Sequence, residues 1–175
     1  WGGSMANRSR FGVEIIKAIR AATAPDFPII LRYSQWKQQD YTARLAETPE
    51  LLEQFLAPLA DAGVDIFHCS TRRYWEPEFA GSNLNLAGWT KKLTGKATMT
   101  VGSVGLNGDF FGAFAGKGSE TRSIDDLIER LDKGEFDLVA VGRAILQDPN
   151  WANKIRQGEI DKLETYSGDA LTTLS

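Results

Sequence analysis

Four short apolar runs, residues 28–33, 64–69, 97–101 and 138–141, alternate with longer segments, most of them with apolar side chains at helical spacing. This alternation restricts the fold more than any other feature. Each run is too short for a buried helix, and its near-continuous apolar character is that of a strand covered on both faces. Strands that take turns with helices pair in parallel, so the chain is an α/β protein built of β-α units. Two architectures satisfy that pattern: a doubly wound sheet, or part of a β/α barrel.

The helical segments carry their own boundaries. Residues 5–24 place Phe11, Ile15, Ala18, Ile19 and Ala22 on one face, with Ser4 as an N-cap and Pro25 as a stop. Thr48 and Pro49 open a second helix through Leu51, Leu52, Phe55, Leu59 and Ala62, which Gly63 closes. A short helix is expected around residues 86–93, and Ser123 is expected to cap another over 124–131. A dinucleotide-binding sheet carries G-x-G-x-x-G directly after a strand, whereas Gly102, Gly105 and Gly108 are each separated by two intervening residues. The failed fingerprint favours the barrel.

Composition excludes several classes. With 175 residues, 42% of them hydrophobic and 25% charged, residues 1–175 read as a single globular domain. The net charge of −3 is spread without any basic run, which argues against a nucleic-acid partner. One cysteine, Cys69, and one histidine, His68, leave neither an internal disulfide nor a metal-ligand cluster, as suits a reducing, cytoplasmic setting. No apolar run reaches the length of a membrane span, and the first residues lack the pattern of a signal peptide. Because the sequence opens at Trp1 without an initiator Met, it is expected to begin inside a longer gene product.

Two strand ends invite an anion. The fourth run stops at Val141-Gly142-Arg143 and the third at Val101-Gly102-Ser103-Val104-Gly105. Glycine lets a phosphate approach the backbone, a following helix offers free N–H groups, and an arginine adds fixed charge. An ordinary tight turn produces the same letters. Barrel enzymes, however, commonly seat a phosphate on the loops after their last two strands, which supports the first reading. Arg32 sits inside an apolar run, where a charge is costly unless it reaches the barrel mouth or meets an anion. His68 reads as a satisfied core residue and Cys69 as a small buried one. Arg72, Arg73, Tyr74 and Trp75, just past the second strand, either line the entrance to a site or anchor a solvated loop.

Several separated segments together resemble one family, the Old Yellow Enzyme group of FMN-dependent NAD(P)H oxidoreductases. Trp1-Gly2-Gly3-Ser4 with Asn7-Arg8 and Arg10-Phe11 is similar to the family segment that follows barrel strand four. Leu31-Arg32-Tyr33-Ser34, then residues 65–70, then 100–104, then Val141-Gly142-Arg143 with Asp148-Pro149 resemble strands five to eight in order. The resemblance implies the C-terminal half of a TIM (β/α)8 barrel, with FMN as cofactor, NAD(P)H as reductant and a small enone-like molecule as substrate. It places Arg32 at the pyrimidine edge of the flavin, and Gly102, Ser103, Val104, Gly142 and Arg143 around its phosphate. Catalytic residues are expected in the absent strands one to four, and none of those positions lies in this sequence. A flavin-free phosphate-binding barrel and a non-catalytic truncated half-barrel are the alternatives. Open barrel edges are expected to drive self-association.

Overall fold

The computed structural model describes residues 1–172, the side chain of Phe114 excepted. Four parallel strands, β1 (Ile30–Tyr33), β2 (Ile66–Ser70), β3 (Ala97–Val101) and β4 (Leu138–Val139), lie side by side in chain order. A doubly wound sheet reverses its strand order at a switch point; here each strand neighbours its sequence neighbour, as in a barrel. The helices are α1 (Met5–Ala22), α2 (Pro49–Asp61), α3 (Leu86–Thr94), α4 (Phe110–Phe114), α5 (Asp125–Asp132), α6 (Arg143–Gln147) and α7 (Trp151–Arg156).

The caps legible in the sequence are present. Ser4 Oγ accepts from the Asn7 N–H at 3.3 Å and Thr48 Oγ1 from the Leu51 N–H at 3.3 Å. Asn85 caps α3 by accepting from the Gly88 N–H at 2.9 Å. Ser123 acts differently from expectation: its Oγ accepts from the Asp125 N–H at 3.1 Å, but Ile124 occupies the cap position and α5 starts at Asp125. The fourth run pairs over only Leu138–Val139, after which the Ala140 N–H adds one bond to Thr100 O at 2.8 Å before the chain turns into α6.

Burial along the strands has a period of two. In register, Leu31, Phe67 and Thr98 form one row, and Tyr33, Cys69, Thr100 and Val139 the next, all turned toward the helices. Leu52, Leu56 and Leu59 of α2 and Leu86 and Ala87 of α3 complete that core. The other face carries Ile30, Arg32, His68 and Leu138, and Ile30 and Leu138 are 51% and 41% exposed. Strands covered on both faces are therefore not what this chain forms. A singly wound sheet stacks its crossover helices on one side, so the opposite face is covered only when the strands curl round to meet others.

One arginine ties the first helix to the sheet. Arg20 Nη1 donates to Phe27 O at 2.6 Å, while Nη2 donates to Gly63 O at 2.7 Å and Asp65 Oδ2 at 2.6 Å. Asp65 Oδ2 also accepts from the Ile29 N–H at 2.8 Å, and this bond first, then Arg20, holds its carboxyl below the usual range. Because its pKa is lower folded than unfolded, Asp65 stabilises the fold at neutral pH and loses that contribution on acidification below about pH 4. Urea unfolding should show Arg20→Met less stable by about 1–3 kcal/mol, since it removes the donor from the Pro25, Phe27 and Gly63 carbonyls. Asp65→Asn should be less stable at neutral pH and lose part of the decline in stability seen on acidification.

A candidate cofactor cleft at the strand ends

The C-terminal ends of all four strands open on one cleft of about 640 Å³, within the roughly 300–1,000 Å³ usual for cofactor sites. Arg32, Gly102, Ser103, Val104, Gly142 and Arg143, the six residues selected from the sequence, all line it. They come from the exits of β1, β3 and β4, so it is the parallel sheet that brings them together.

The two glycines differ in what requires them. Gly102 has φ +134°, and a Cβ there would lie 2.7 Å from Thr71 O and 2.9 Å from the Arg73 backbone nitrogen. It is glycine because the exit of β3 runs directly against the exit of β2. A Cβ on Gly142 would meet nothing within 4 Å. The space before it is open to a ligand, and α6 starts there with no side-chain cap on its first N–H groups.

Ser103 holds a left-handed φ of +49°, uncommon for a residue other than Gly, Asn or Asp. Its hydroxyl lies 2.9 Å from Gly108 O and 3.1 Å from Arg72 O, the two acceptors sharing one proton. Arg143 Nη2 donates to Ser103 Oγ at 3.2 Å and Gly108 O at 2.7 Å, and Nη1 to Asp109 O at 3.0 Å. Three of its five donors thus brace the loop after β3, leaving two for a ligand. Burial lowers the Arg143 pKa, and a guanidinium in a protein keeps its charge. The Val104 side chain is buried in the core, and its backbone is what remains to meet a ligand.

Arg32 lies exposed on the open face of the sheet, with Nη2 donating to Ser70 Oγ at 3.2 Å. Its register partner is His68, whose Nε2 has no hydrogen-bond partner. The histidine is therefore not a satisfied core residue; it lines the cleft because its strand position faces away from the helices. Burial, then the Arg32 charge, lowers its pKa and favours the neutral imidazole. Cys69 is inert, its thiol pushed up to about 12 by burial.

The loop after β2 divides its labour. Arg73 is pinned by Glu76 at 2.9 Å and Asp109 at 3.2 Å. Tyr74 is buried, donates its hydroxyl to Asp126, and receives bonds at its carbonyl from Asn85 and Arg130. Trp75 stacks under Arg122 at 3.7 Å. Arg72 alone of the four lines the cleft, within 3.7 Å of the Tyr41 ring centroid, 4.3 Å of Phe111 and 5.6 Å of Trp36. Those three aromatics were not singled out in the sequence. The available signal was their concentration in polar loops beyond strand ends, where barrel sites form. Among the described residues no group of three His, Cys, Asp or Glu side chains is placed to hold a metal.

Residues 1–162 match the model of the NADH:flavin oxidoreductase / NADH oxidase family. The chain belongs to this family. It is 30% identical over 171 residues to an NADH oxidase of Thermoanaerobacter brockii, covering 93% of this chain and 23% of that protein. It is 30% identical over 155 residues to an NADPH dehydrogenase of Bacillus subtilis, covering 87% and 39%. The chain thus spans less than half the length of these relatives. Among solved structures, the Old Yellow Enzyme homologue of Zymomonas mobilis shares the fold with a TM-score of 0.68 at 12% identity, covering 99% of this chain and 43% of that one. Morphinone reductase in complex with tetrahydroNAD gives 0.59 at 21%, covering 93% and 37%. The chain therefore shares the fold of part of the Old Yellow Enzyme type TIM barrel and belongs to a family that uses FMN with NAD(P)H as reductant. The residues present fit that cofactor: an open cradle at Gly142, two arginines and backbone donors sit at one cleft of suitable volume.

The contrast between the glycines is testable by thermal denaturation. Gly102→Ala forces a Cβ into backbone and a left-handed φ, and should cost about 2 kcal/mol or more. Gly142→Ala should stay within about 1 kcal/mol of the parent.

Proposed function

We propose that this chain forms strands five to eight of an FMN-dependent ene-reductase barrel, where it seats the flavin phosphate and faces the pyrimidine edge. The observation that carries the reading is the empty space before Gly142, flanked by the Arg143 guanidinium and the Gly102-Ser103 turn in one cleft. FMN, reduced by NAD(P)H, supplies the hydride for an activated C=C bond of an enone-like small molecule. The residues of this chain bind and bias. Backbone N–H groups at 102–104 and 142–143 hold the phosphate, and Arg143 neutralises it while fixing the loop that presents Ser103. Arg32 keeps a positive charge at the pyrimidine edge, favouring the electron-rich reduced state. His68, held neutral, leaves Arg32 the cation of that edge. The residues that grip the substrate carbonyl and deliver the proton belong to strands one to four.

Membership of a flavin family sets aside the flavin-free barrel. The reading of the isolated chain as non-catalytic is favoured by the exposure of Ile30 and Leu138 on the face that a closed barrel covers. Taken alone, the chain should aggregate or dimerise, and a monodisperse monomer in light scattering would count against this.

Fluorescence titration of the complete protein tests the phosphate seat. Gly142→Ala and Arg143→Met should each weaken FMN binding by roughly 10- to 100-fold. Unchanged affinity in Gly142→Ala, with the fold intact, would overturn the assignment.

A further inference from the structure

The guanidinium of Arg72 has no oxygen partner at its Nε, which is buried without an acceptor while the residue lines the cleft. Its neighbours differ. Arg73 is spent on Glu76 and Asp109, Arg143 on three loop oxygens, and Arg32 reaches Ser70. Among the described residues Arg72 enters no ion pair with a carboxylate. Instead Tyr41, Phe111 and Trp36 surround it. Rings that pack on a guanidinium face leave its N–H groups free in the plane, aimed outward.

The cage is rigid. The Tyr41 hydroxyl donates to Glu76 Oε2 at 2.7 Å, and Trp36 Nε1 donates to Ser70 O at 3.2 Å. Trp36 also packs edge-on against Tyr41 and Phe111, at 5.4 and 6.1 Å between centroids. An arginine locked in place, desolvated at one donor and still unpaired, is preorganised for an anion.

We infer that Arg72 is a specificity-determining residue that binds the carboxylate of an acidic substrate whose planar apolar body lies against Trp36 and Phe110. The inference rests on the flavin reading, which already assigns the phosphate to Gly142 and Arg143 on another strand exit. A single planar fork of unit charge matches a carboxylate in charge and in geometry. The aromatic walls suit an unsaturated or aryl acid.

Calorimetry on the complete FMN-loaded protein, with benzoate and its neutral isostere benzamide as probes, decides the matter. The parent should bind benzoate at least tenfold more tightly. Arg72→Met should bring the two to parity with benzamide unaffected, and Arg72→Lys should keep part of the preference. Equal affinities in the parent, binding of neither probe, or a preference that survives in Arg72→Met overturns the inference. So does an Arg72→Met variant that loses NADPH relative to NADH while benzoate is unchanged, because the anion would then be the cofactor's phosphate. If Arg72→Met fails to fold, the ratio in the parent and in Arg72→Lys carries the decision. FMN retention is read separately by absorbance. Should FMN not bind, the flavin reading fails, and the same benzoate comparison on the flavin-free protein still judges Arg72.

Discussion

The backbone crossing at Gly102 is the constraint on which the cleft depends. With Thr71 O only 2.7 Å from where a Cβ would stand, the exits of β2 and β3 touch main chain to main chain. The contact is secured on both sides: the Tyr74 N–H donates to Gly102 O at 3.1 Å, and Ser103 Oγ reaches Arg72 O. From this crossing the left-handed Ser103 turns the chain so that Gly108 and Asp109 present their carbonyls to Arg143. Three strand exits are thereby fixed relative to one another. Any ligand that needs groups from all of them finds them preorganised, at no ordering cost when it binds.

Charge is distributed with equal economy. The chain is acidic overall, yet Arg32, Arg72 and Arg143 converge on the cleft while the nearby carboxylates Glu76 and Asp109 are taken up by Arg73. The local field is positive where the net charge is negative. That arrangement suits a family whose cofactor carries a phosphate and accumulates negative charge on reduction.

Much of this was legible in the residues. Helix starts were readable at Ser4 and Thr48 because a cap is a local device, made by a side chain three positions from the N–H it accepts. The six cleft residues were readable because glycine and arginine mark the strand ends, which an ordinary tight turn would also explain, and because the family resemblance singled out the same positions together with Ser103 and Val104. Other features were misread or missed, beyond the Ser123 cap and the expected covering of both strand faces. His68 lies on the face away from the helices, and strand parity relative to the core is a property of the sheet. Helix α4 is five residues long, too short to show a period. The ring cage brings Trp36 and Tyr41 from the loop after β1, and Phe111 from α4, to Arg72 in the loop after β2, and no spacing encodes that.

The sequence by itself determined the order of elements, their parallel pairing and the chemistry available at the strand ends, since these follow from apolar periodicity, capping and turn residues within a few positions. Tertiary structure alone decided that one face of the sheet is left open and which donors stay free. Those outcomes depend on contacts between residues distant in the chain. Arg143 and Arg72 are the same residue type beside one cleft, yet one is braced by three backbone and hydroxyl oxygens and the other stands unpaired among rings.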